Sequence, residues 1–159
     1  MGRGGIRPLE FKTFSKEMQN AITNYCQAGG NFFVSGAYVA SDLWDNRLVK
    51  ANEEDKKFAM EVLKYKWRVG QAARNGKVKS VASPFPEITG SYTYYQDLNP
   101  ESYVVESPDA LEPAAQGAFT ILRYSENNLS AGIAYKGNYK TCVLGFPFEA
   151  IRTVTEREL

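Results

Sequence analysis

Gly29-Gly30-Asn31-Phe32-Phe33-Val34-Ser35-Gly36-Ala37 is the stretch on which the reading of this chain turns. Asn31 to Val34 is a short apolar run ending in a Ser-Gly turn, the pattern of a strand buried on both faces and parallel to its neighbours. Just upstream, Met18, Ile22 and Tyr25 recur at helical spacing from Ser15 onward, and Gly29 supplies a left-handed stop. A helix feeding a buried strand is half of a βαβ unit, so an α/β fold with a partly parallel sheet is expected. The chain begins with that crossover helix. A single α/β domain over residues 1–159 is therefore expected, as the C-terminal part of a larger domain.

Working outward, Asn52 can cap a second helix with Glu53, Glu54 and Asp55 in its first turn, and Phe58, Val62, Leu63 and Trp67 on its buried stripe. Asn75-Gly76 sits between two candidate strands as a hairpin turn. Ser91 to Tyr95 reads as a further strand, followed by a polar connection through Pro100, Pro108 and Pro113. The last third is the most regular. Ala118 to Tyr124, Leu129 to Tyr135 and Tyr139 to Leu144 alternate with turn residues 125–128 and Gly137-Asn138, which predicts a C-terminal antiparallel meander. A short terminal helix is expected near Ile151.

The 159 residues include no histidine, so neither a Ser-His-Asp nor a Cys-His acyl-transfer site can be assembled. A net charge of +1 offers no electrostatic footprint for nucleic acid or an anionic membrane, and neither partner is expected. No apolar run is long enough to span a bilayer, and residues 1–11 lack a signal-peptide pattern. Cys26 and Cys142 have no metal-ligand spacing and read as free thiols. No cofactor and no metal site is expected. The acidic positions Asp42, Asp45, Glu53, Glu54 and Asp55 do not follow a calcium-loop pattern.

The segments YCQAGGNFFVSGAYVASDLWD (Tyr25 to Asp45) and RYSENNLSAGIAYKGNYKTCVLGFPFEAI (Arg123 to Ile151) resemble a family of large Bacteroidetes proteins labelled xanthan lyase. There they are similar to the C-terminal half of a class I glutamine amidotransferase-like domain. The resemblance implies a three-layer flavodoxin-like sheet, an exported (periplasmic, cell-surface or secreted) protein with other domains in the same parent chain, and a polysaccharide ligand. In the amidotransferases a Gly-Gly pair leads into a strand ending at a nucleophilic cysteine. Val34 or Ser35 stands at that point here, so the triad is missing.

Ser35 at a strand-to-turn junction is a candidate nucleophile, although a cap or backbone-fitting role is the preferred reading. Gly36 is explained by the turn. A lyase needs a base and a group to neutralise a uronate, and Tyr92, Tyr94, Tyr95, Arg123 and Tyr124 are of suitable types. Trp44 and exposed tyrosines could instead stack on sugar rings. Binding candidates are thus Ser35, Gly36, Tyr38, Asp42 and Trp44, and weak catalytic candidates are Ser35, Arg123 and Tyr124. The reading is a non-catalytic structural or carbohydrate-binding module, with a polysaccharide lyase acting on acidic glycans as the alternative. An unpaired apolar strand also invites pairing. Residues 32–34 are therefore expected to be covered at the edge by later strands of the chain or by a second copy, as a homodimer.

Overall fold

The computed structural model describes residues 12–45, 51–97, 100 and 104–152. The expectation that residues 1–11 hold no signal peptide lies outside them.

Helix α1 (Lys16–Gln27) starts where Ser15 Oγ accepts from Met18 N, and residues Ile22 and Cys26 form its buried stripe. Gly29, at φ 89°, turns the chain into β1 (Asn31–Ser35). Helix α2 (Glu53–Phe58) carries the capping expected of Asn52. Its Oδ1 accepts from Asp55 N at 2.9 Å, and Asp55 Oδ2 accepts from Asn52 N at 2.9 Å. Asp55 also accepts from Gln19 Nε2 at 2.8 Å, which ties α2 to α1. Asn52→Ala removes half of this box and is expected to lower stability by about 1 kcal/mol, read from the urea midpoint.

A π-helical turn (Ala59–Leu63) continues α2 until Lys64, at φ 69°, ends it. The chain then enters β2 (Tyr65–Val69), so Trp67 belongs to a strand and not to the helical stripe on which it was placed. Next come β3 (Lys77–Ser80), β4 (Ser91–Thr93), β5 (Ala110–Pro113), β6 (Ala118–Tyr124), β7 (Ser130–Lys136) and β8 (Lys140–Leu144). A single 3-10 turn, Phe148–Ala150, stands where a terminal helix was expected.

Among the described residues six strands form one sheet in the order β1-β8-β7-β6-β3-β4, while β2 and β5 form a separate ribbon. The β6–β7–β8 meander is as expected, and its second turn lies at Gly137-Asn138. Asn75-Gly76 does turn the chain, with Lys77 N donating to Asn75 Oδ1 at 3.0 Å. It is not a hairpin: β2 goes to the ribbon and β3 to the main sheet. The run around Pro108 and Pro113, read as a polar connection, holds β5.

The three-layer flavodoxin-like arrangement is corrected. β1 runs parallel to β8, but the other pairings of the described sheets are antiparallel, and the mixed sheet curls into a half-barrel. Both helices sit on one face, where Ile22, Cys26, Phe58 and Leu63 pack with Phe32, Val34, Ile133 and Val143. The other face is covered by irregular chain, in which Tyr94, Val105, Phe146 and Ile151 pack with Leu122, Ala134 and Leu144. Among the described residues β1 is an edge strand, and Phe33 is 52% exposed, against the expectation of a strand covered on both faces. An apolar run as short as Phe32 to Val34 has no feature that separates an edge strand from a central one. Its neighbours alone decide that.

Candidate functional site

The chain leaves β1 through a turn that Asp109 holds in place. Asp109 is fully buried, and its Oδ2 accepts from Ala40 N at 2.9 Å, Ser41 N at 3.0 Å and Ser41 Oγ at 3.3 Å. Its Oδ1 accepts from Trp67 Nε1 at 3.0 Å on β2. The Asp109 backbone is engaged as well: its N–H donates to Gly145 O at 2.6 Å, and its carbonyl accepts from Tyr124 Oη at 2.7 Å. One residue thus joins the turn after β1, the ribbon, β6 and the end of β8.

Burial raises the Asp109 carboxyl to about 6, opposed by the N–H groups of Ser41 and Ala40 and by the Trp67 and Ser41 side chains. An unfolded aspartate titrates near ~3.9, so the folded chain takes up this proton more readily than the unfolded chain. The Asp109 contribution to stability therefore falls as pH rises from about 4 to about 6 and is level above that. Urea midpoints of the wild type and Asp109→Asn, compared across that window, should diverge by this slope.

Beside this anchor lies a cleft of about 490 Å³ lined by Tyr38, Ser41, Asp45, Val69, Gly70, Gln71 and Ser107. Its two walls come from the turn after β1 and from the end of β2, where the pairing with β5 shifts register between Trp67 and Val69. Gln71 N donates to Ser107 Oγ at 3.2 Å, and Ala72 N to Pro108 O at 2.8 Å, which fixes the second wall. Both walls hold a non-glycine residue in the left-handed region, Tyr38 at φ 65° and Gln71 at φ 51°. Such backbone costs about 1–3 kcal/mol per residue and persists only where surrounding structure enforces it. Tyr38 is 41% exposed, and Val69 beside it is also exposed. Tyr38 and Val69 are the exposed apolar members of the lining and Ser41, Asp45, Gln71 and Ser107 the polar ones, a mixture that suits a ligand with apolar ring faces and polar edges.

Of the binding candidates read from sequence, Tyr38 lines this cleft. Ser35 Oγ accepts from Phe148 N at 3.1 Å and fastens β1 to the terminal turn. Gly36 N donates to Leu144 O at 3.3 Å. Asp42 is buried, its carboxyl raised by burial, and its Oδ2 accepts from Phe14 N at 3.3 Å. Trp44 packs into the helix-side core, with Lys56 Nζ 6.0 Å from its ring. Arg123 donates to Asn128 O at 2.7 Å. Tyr124 is fully buried, donates to Asp109 O, and has its phenol pushed well above the ordinary range by burial, so it stays protonated as a donor within the fold. Cys26 and Cys142 are free thiols. Among the described residues no three of His, Cys, Asp or Glu come together as a metal-binding group.

Sequence reasoning missed Asp109, Gln71 and Ser107. The sequence signal nearest to them is Ser107-Pro108-Asp109, a turn-type tripeptide before a short apolar strand, and it does not announce a cleft.

No family model and no curated protein matches the chain. Among solved structures it is similar to the exo-β-1,4-mannosidase of Opitutaceae bacterium strain TAV5, with a TM-score of 0.53 and 11% identity over 86% of this chain. The match spans 19% of the mannosidase chain, so the likeness is to the fold of one part of a much longer protein. That shared β-rich mixed-sheet fold is what replaces the flavodoxin-like arrangement.

Proposed function

We propose that this protein is a carbohydrate-binding module that acts without bond chemistry of its own, within a larger exported protein. The observation that carries the reading is the cleft between Tyr38 and Gln71, whose walls hold two left-handed non-glycine residues and whose lining joins an exposed aromatic ring to several polar groups. Sugars present an apolar ring face for stacking and hydroxyls for hydrogen bonding, and this lining offers both. The side chains considered for catalysis support the same reading, since Ser35, Arg123 and Tyr124 are all engaged in holding the fold. The likeness to part of a mannosidase makes β-1,4-mannooligosaccharides the first glycans to test.

Titration calorimetry with those oligosaccharides, followed by a glycan array, should detect binding by the wild-type chain. Tyr38→Gly removes the ring while relieving the positive φ, so stability should stay within about 1 kcal/mol while affinity falls about tenfold or more. Absence of glycan binding by the wild type, or equal binding by the variant, would overturn the reading.

A further inference from the structure

The open edge of β1 and the apolar surface beside it form one continuous patch. Among the described residues β1 pairs with β8 and with no other strand. Gly36 N–H points to β8, so by alternation the N–H and C=O groups of Asn31, Phe33 and Ser35 point to the open side. Protected edges carry charge, proline or a bulge. Asn31–Ser35 has none of these.

The adjoining face is apolar. Phe33, Cys142, Ala134 and Phe119 stand in one cross-strand row, and both terminal members, Phe33 and Phe119, are exposed. Two grooves of about 230 and about 420 Å³ flank Phe33, with Phe85, Ile88 and Phe148 among their walls. Lys140 lines the first, beside Asn31 at the start of β1, and Glu87 lines the second, toward the end of β1. Neither Lys140 nor Glu87 has an ion-pair partner among the described residues.

We propose that this edge pairs with the same edge of a second copy, antiparallel about a two-fold axis at Phe33. That register sets Phe33 against its own counterpart and Asn31 against Ser35, so aromatic meets aromatic and polar meets polar. All outward N–H and C=O groups of β1 are then paired, and the two six-stranded sheets become continuous. Because the strands run in opposite directions, the Lys140 end of each copy meets the Glu87 end of the other. This charge complementarity selects a second copy over an unrelated strand.

Sedimentation equilibrium on the full chain should show a dimer at micromolar concentration. Phe33→Lys places a charge on each side of the axis and should leave a monomer with unchanged circular dichroism. Glu87→Lys or Lys140→Glu alone creates two symmetric repulsive contacts and should weaken the dimer about tenfold, and the double exchange should restore it. Hydrogen exchange should show concentration-dependent protection of the Phe33 amide in the wild type. A monomer at about 100 μM, a dimer that survives Phe33→Lys, or a double exchange without recovery would each overturn the proposal.

Discussion

Asp109→Ala is expected to lower folding stability by at least about 3 kcal/mol at pH 7, enough to remove a large part of the stability of a domain of this size. The substitution leaves Ala40 N, Ser41 N, Ser41 Oγ and Trp67 Nε1 aimed at a space that offers no acceptor. Each buried donor left unsatisfied costs about 1–3 kcal/mol, and losses within one network do not add in full. Asp109→Asn retains the shape and one acceptor, and the raised carboxyl pKa indicates that a neutral group is accommodated here, so its cost should be smaller. Equilibrium urea unfolding of the three proteins checks the order: wild type, then Asp109→Asn, then Asp109→Ala. A midpoint for Asp109→Ala within error of wild type would remove Asp109 from its place as the joint of the fold. The turn after β1 should loosen first, so amide exchange at Ala40 and Ser41 ought to rise even where global stability survives.

What was legible in the sequence was local. The Ser15 cap and Gly29 stop frame α1, the Asn52 box opens α2, and the alternation of residues 118–144 with their turns gives the meander, because each depends on residues a few positions apart. What was not legible depended on distant partners. Asp109 receives its donors from residues 69, 68 and 42 positions away, and nothing near it in sequence marks it as an anchor. The flavodoxin-like expectation failed for the same reason: Phe32 and Val34 meet the helix-side core, but Phe33 faces a side with no α-helix among the described residues. The cleft was half visible. Tyr38 stood in a turn already singled out, whereas the opposing wall depends on the register shift in β2 and on Ser107 beside it.

Gly145→Ala is expected to be as damaging as Asp109→Ala, and by a steric route that leaves every polar group of the joint in place. A Cβ at Gly145 would stand 2.0 Å from the Asp109 carbonyl oxygen and 2.9 Å from its carbonyl carbon. Both are backbone atoms, so no flexible side chain can move aside. Retreat of Asp109 is blocked as well, because its N–H donates to Gly145 O and its carbonyl accepts from Tyr124 Oη. Gly145 is equally held, since its own N–H donates to Ala131 O at 2.9 Å on β7. Relief requires β8 and β5 to separate, which lengthens the Asp109 N–H bond and draws the carboxyl away from Ala40 and Ser41. Overpacking a close contact typically costs about 1–3 kcal/mol, and the loss of the linked hydrogen bonds adds to it. The Gly145→Ala, Asp109→Asn double variant separates the two effects. If the methyl group acts by displacing Asp109, the costs of the two changes should be less than additive, because both act on one set of bonds. Full additivity in urea unfolding, or a Gly145→Ala protein as stable as wild type, would show that the β5–β8 junction is looser than the 2.6 Å Asp109–Gly145 bond implies.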